Sequence, residues 1–199
     1  MKKLFFLGLV VGLVLFGMSS SAHANLLTNA GFETAGSGGD QDAANWTKSG
    51  DAGRENWANH TNSWGMAMYG WGSGTGSAYQ AVDATAGTAY TYKVWTLGDS
   101  GTYTGNFYME LAWYNGGTLL STDSSSVALG TDWAQKTLTA TAPTNTTTVR
   151  AILRSATVTT TGKFDDTELN GTTSIPEPTS MLLLGSGLIG LLGVARKKK

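Results

Sequence analysis

Along the middle of the chain, hydrophobic and polar residues alternate with a period of two. Over residues 106–114 the odd positions Phe107, Met109, Leu111 and Trp113 make one apolar face. Over residues 149–154 Val149, Ala151 and Leu153 do the same and leave Arg150 and Arg154 opposite. No long window carries a helical period. Further strands are predicted over residues 65–69, 78–82, 89–97, 125–129, 135–140 and 162–169. Turn signals at residues 86–88, 115–117 and 129–132 separate them. Eight or nine short strands at this spacing predict an all-β, two-sheet antiparallel sandwich over residues 25–174.

The two ends follow a different pattern. Lys2 and Lys3 precede an apolar run from Leu4 to Met18, and Ala22 and Ala24 are the small residues of a signal-peptidase site. Residues 1–24 therefore read as a signal peptide that sends the chain through the Sec pathway. At the other end Pro176, Glu177 and Pro178 precede an uncharged stretch over residues 181–195 and the basic cluster Arg196, Lys197, Lys198 and Lys199. The two prolines hold an extended backbone and display the glutamate between them. Fifteen helical residues reach roughly 22 Å, short of the roughly 30 Å hydrocarbon core. This short helix is expected to anchor the chain transiently in the inner membrane, its cations on the cytoplasmic side. The tail over residues 175–199 resembles the PEP-CTERM sorting signal. That resemblance implies processing by an exosortase, a membrane transpeptidase of exopolysaccharide-producing Gram-negative bacteria, and delivery to the cell surface or extracellular matrix.

With both tags set aside, seven of the thirteen Lys and Arg residues face thirteen of the fourteen acids, a net of minus six. Such a balance excludes a phosphate-binding stripe, and nucleic acid with it. The absence of cysteine excludes disulfides and thiol chemistry.

Residues 25–33, Asn-Leu-Leu-Thr-Asn-Ala-Gly-Phe-Glu, resemble the first strand of carbohydrate-binding modules with a galactose-binding-like jelly roll. The likeness continues in order through Trp46, residues 63–65, 80–82 and 86–92, Trp133, Pro143 and residues 164–169. It implies a jelly-roll sandwich and a structural calcium ion (Ca2+). That ion would be held by Glu33 near the end of the first strand and by Asp165 or Asp166 in the last. Where relatives commonly carry valine or isoleucine stands Thr167, which leaves open which aspartate points inward. A hard cation suits such oxygens; pairing of Glu33 with a surface cation is the alternative.

Seven Trp and seven Tyr exceed what a core of this size needs. Aromatic rings stack on the apolar faces of sugars while polar neighbours bond the hydroxyls. Two groups are candidate sugar contacts. Tyr108, Glu110 and Tyr114 share the non-core face of one strand, and Trp57, Trp64 and Trp71 stand among Gly, Asn and Ser. Trp46, Trp95, Trp113 and Trp133 read as packing residues. Catalysis finds little material: His60 is the one histidine left after export, and Asp165 and Asp166 are adjacent, so a strand would point them apart. The expectation is an exported, non-catalytic protein that binds polysaccharide. A structural or adhesive matrix protein without a sugar ligand is the alternative, and a glycan-active enzyme the third reading.

Overall fold

The computed structural model describes residues 24–99 and 106–172. The sorting tail, with Pro176, Glu177 and Pro178, the apolar stretches and Ala22 lie outside the described residues.

Twelve strands form among the described residues, and no helix. A small hairpin pairs β1 (Ala35–Gly36) with β2 (Gly39–Ala43). The first five-stranded sheet contains β4 (Ala52–Glu55), β5 (Gly65–Met68), β7 (Ala89–Gly98), β10 (Ala134–Thr141) and β12 (Gly162–Thr172), in the order β10-β7-β12-β5-β4. The second contains β3 (Thr47–Gly50), β6 (Gly76–Asp83), β8 (Phe107–Asn115), β9 (Thr118–Ser126) and β11 (Thr148–Ser155), in the order β3-β6-β11-β8-β9. All pairings are antiparallel.

The alternation decides which sides meet. Tyr90, Tyr92 and Val94 of β7 and Phe164 and Leu169 of β12 face Met109, Leu111 and Trp113 of β8 and Val149, Ala151 and Leu153 of β11 in one core. Burial of such side chains contributes about 1.5–3 kcal/mol each relative to exposure. Turning the period-two face inward on both sheets therefore dominates the choice of fold.

Several expected elements differ. The stretch from Asn25 to Glu33 is not a strand, because Asn29 and Phe32 lie at positive φ (49° and 56°) and break the extended run. It still lies along β12, with Leu26 N–H donating to Leu169 O and the Asn25 carboxamide bonding Leu27, Thr167 and Leu169. The strand expected at 125–129 is instead β9, displaced toward the N-terminus. It is an edge strand exposed along nearly its whole length, while Val127 and Leu129 plug into the core after it ends. Two short strands unmarked by any pattern, β3 and β4, pass from one sheet to the other at Gly50. There φ is +64°, and a Cβ would stand 2.3 Å from Thr75 O.

Candidate functional site

On the side of the second sheet turned away from the core, the register brings three strands into one polar surface. Tyr79 of β6 is level with Ile152 of β11, which is level with Glu110 of β8. Arg150 is level with Ala81 and Ala112, and Arg154 with Ser77 and Tyr108. The parity rule placed Tyr108, Glu110 and Tyr114 on this face, and the structure does bring them onto one strand surface. Their chemistry there is set by the two arginines of β11.

The Arg154 guanidinium lies 4.3 Å from the Tyr108 ring centroid and donates twice to Glu110 Oε1, at 3.1 and 2.8 Å. Ser124 Oγ of β9 donates to the same oxygen. Glu110 is buried, so its carboxylate serves first as the counter-ion of Arg154. Arg150 sits between two rings, 4.6 Å from the Tyr79 centroid and 4.4 Å from that of Tyr114, and donates to the Tyr114 hydroxyl at 3.2 Å. Cation–π contacts of this kind are worth about 0.5–1 kcal/mol at exposed sites and more when partly desolvated. They hold two long side chains upright across the sheet. Arg150 and Arg154 were legible as lying opposite the core face; their coupling to tyrosines two strands apart was not.

Trp57, Trp64 and Trp71 do not join this surface. Trp71 is 59% and Trp57 40% exposed, and both flank Tyr69 over the outer side of the first sheet. Tyr69 stacks on Trp71 at 4.4 Å and lies 6.4 Å from Trp57, with Lys163 Nζ 5.4 Å above the Trp57 ring. Trp64 is half-buried and carries the Arg54 guanidinium 3.6 Å from its ring centroid. It is a packing residue in this arrangement. Of the tryptophans expected in the core, Trp46 and Trp113 are there. Trp95 and Trp133 instead lie half-buried around His60, whose ring stacks on Trp95 at 4.2 Å.

Glu33, Asp165 and Asp166 gather around Gly31. A Cβ on Gly31 would lie 3.6 Å from Oδ1 of either aspartate and 3.9 Å from Glu33 Cγ. All three bind the loop from His60 to Trp64. Asp165 Oδ2 accepts from His60 N–H (2.7 Å) and Thr61 N–H (3.0 Å), Glu33 accepts from Ser63 and Trp64 N–H, and Asp166 accepts from Thr61 Oγ1 and lies 2.7 Å from His60 Nδ1. A bulge after Asp165, with Asp166 at φ +46°, lets both adjacent carboxylates face the same loop despite strand parity. Asp165 is the inward one, fully buried, and burial pushes its carboxyl up to about 6 against the pull of its three backbone donors. Oxygen donors of this kind suit a hard cation. As the side chains stand they point at loop amides, and among the described residues no three His, Asp or Glu are placed to hold a metal ion.

Residues 174–198 match the PEP-CTERM protein-sorting motif. The chain carries a sorting signal for export to the cell envelope or surface. In fold, the chain is similar to a family 16 carbohydrate-binding module with a TM-score of 0.56 at 16% identity, covering 73% of this chain and 99% of that one. The CBM22-1 xylan-binding domain of Paenibacillus barcinonensis Xyn10C is similar at a TM-score of 0.55 and 9% identity, covering 78% and 99%. The enzymatically active domain of bacteriophage CBA120 tailspike protein 4 is similar at 0.58 and 13%, but this chain spans only 21% of it. No curated protein matches the chain in sequence. At these identities the likeness establishes the fold alone, an antiparallel jelly-roll sandwich, and leaves the ligand to the residues.

Proposed function

We propose that this protein is an exported, non-catalytic polysaccharide-binding protein of the cell surface or extracellular matrix, with exopolysaccharide as its ligand. Its binding face is the outer side of β6, β11 and β8. The observation that carries the reading is the organised Tyr79, Arg150, Tyr114 and Tyr108, Arg154, Glu110 surface, in which Arg150 is held between two rings and Arg154 between a ring and a carboxylate, on a sheet rather than on loops. Preorganised side chains lose little entropy on meeting a ligand. Signal peptidase acting at Ala24 and an exosortase acting at Pro176, Glu177 and Pro178 would deliver the domain, with the apolar tail a temporary hold in the inner membrane. The exposed pair Trp57 and Trp71 is the second place where a sugar ring could stack. The same surface-extracted protein tests both halves of the proposal. Its intact mass is expected to lack residues 1–24 and the tail, and it is expected to bind glycans on an array. Recovery of the whole tail would contradict exosortase processing, and an array without signal would contradict sugar binding.

Calcium at Glu33, Asp165 and Asp166 is a separate proposal. It is supported by the approach of Asp165 Oδ1, Asp166 Oδ1 and Glu33 Cγ to Gly31, with no Lys or Arg ion pair to any of the three among the described residues; the side chains would have to turn from the loop amides to meet at an ion. A cation bound only by the native state stabilises by mass action, so chelation of calcium-loaded protein is expected to lower the melting temperature. An unchanged melting curve would leave neutralisation to His60 and the loop amides. In the ion-free protein Asp165 sets a pH dependence. Its carboxyl is raised to about 6 in the fold, from about 3.9 unfolded, so it opposes folding above pH 6 and ceases to below about 4. Its contribution should therefore raise the melting temperature as pH is lowered from 7 toward 5.

A further inference from the structure

The outer register of β6, β11, β8 and β9 contains four charged residues: Arg150, Arg154, Glu110 and Asp83. Arg154 is neutralised by Glu110 at 2.8 Å. Asp83 is exposed at the end of β6, level with Thr148, and makes no ion pair among the described residues. Arg150 likewise has no carboxylate within ion-pair distance among the described residues. Its one side-chain hydrogen bond among the described residues goes to the Tyr114 hydroxyl, and the remaining guanidinium N–H donors have no acceptor among those residues. A guanidinium clamped between two rings, half-buried and without a counter-ion, is an anion receptor in form: planar, bidentate and held in place before the ligand arrives. The same clamp covers one face of the Tyr79 and Tyr114 rings. This surface is therefore less suited to bare CH stacking and better suited to hydrogen-bonding an anionic group.

We infer that the polysaccharide bound on this face is an acidic one, a chain bearing uronate carboxylates, and that Arg150 is the residue that reads the carboxylate. The inference rests on the sugar-binding reading of the same face and narrows its ligand. The acidic excess of the domain does not oppose it at short range. Glu33, Asp165 and Asp166 cluster under the loop on the first sheet, away from Arg150, and opposite charges at contact outweigh a field screened beyond about 8–10 Å in physiological salt. A neutral glycan would instead leave the Arg150 donors to bond hydroxyls, with no gain from its charge.

The test is affinity electrophoresis of the full exported protein in gels cast with polygalacturonate, alginate or hyaluronate, each beside its carboxyl-reduced counterpart. At least one polyuronate is expected to retard the protein at least tenfold more strongly than its reduced form. R150Q should lose about tenfold of that retardation at an unchanged melting temperature, and R150K should recover part of it. Equal retardation by a polyuronate and its reduced form, or a folded R150Q that behaves as wild type, would overturn the acidic assignment while leaving sugar binding intact. Equal retardation in polyphosphate would reduce the contact to charge alone and overturn the uronate assignment. Retardation by none of the polymers, reduced or not, together with an empty glycan array, would remove the sugar reading itself.

Discussion

Arg54→Ala is expected to destabilise the domain by about 3–5 kcal/mol, the lower part of the sum for three main-chain carbonyls left without a donor at about 1–3 kcal/mol each. Arg54 is 3% exposed and has no carboxylate partner among the described residues. Its guanidinium donates to three main-chain carbonyls, Phe32 O at 2.5 Å, Glu33 O at 2.6 Å and Asp40 O at 3.0 Å, and lies on the Trp64 ring. Those carbonyls belong to the irregular segment after Asn29 and to the start of β2, which have few ladder bonds of their own. Alanine would orphan all three and unseat Trp64, which precedes β5. Arg54→Lys should recover only part of the loss, because one ammonium cannot match a three-way planar fork. Urea unfolding with the slope held constant measures it; a change under about 1 kcal/mol would show that water replaces the guanidinium without penalty.

Trp113→Ala carries a comparable cost for a different reason, about 3–5 kcal/mol from lost burial and an unfilled cavity. Trp113 is fully buried, packs on Tyr90 at 5.5 Å and sends its indole N–H to Asp123 Oδ2 of β9 at 2.7 Å. It therefore ties the core to the edge strand. Since Tyr114 follows it on β8, loosening Trp113 should also blur the arginine clamp and weaken polysaccharide binding. Trp113→Phe, keeping most of the volume, should lose much less stability. A Trp113→Ala protein that melts within a few degrees of wild type would contradict the packing account.

What the sequence shows and hides follows from burial. Strands β8 and β11 were legible because one side of each is wholly core, so period two is written into them. An edge strand such as β9 has no buried side to pattern, and its residues read as loop. Strands β3 and β4 are four residues each, too short for a period, and the corner at Gly50 depends on the approach of Thr75. Parity also placed Tyr108, Tyr114 and both arginines on one side. It could not place Tyr79 beside Arg150, because that contact depends on the register of β6 against β11, nor show that Glu110 is occupied by Arg154. The adjacent aspartates were misread as pointing apart because the bulge after Asp165, which resets parity, leaves no mark that distinguishes it from a regular strand. Tyr79 could have been found from the residues 76–83, where Ala78, Gln80 and Val82 alternate against it.

The outer side of β6, β11 and β8 is the proposed polysaccharide-binding surface. Calorimetric titration with the best glycan from the array tests it most directly, comparing wild type with Tyr108→Ala, Tyr114→Ala and the pair Trp57→Ala with Trp71→Ala. Each tyrosine variant is expected to keep its fold and lose roughly 1–2 kcal/mol of affinity, the scale of a lost aromatic contact together with the arginine it positions. The tryptophan pair should bind as wild type does. Unchanged binding by both tyrosine variants, with the loss appearing in the tryptophan pair instead, would contradict the account and move the site to the opposite side of the sandwich.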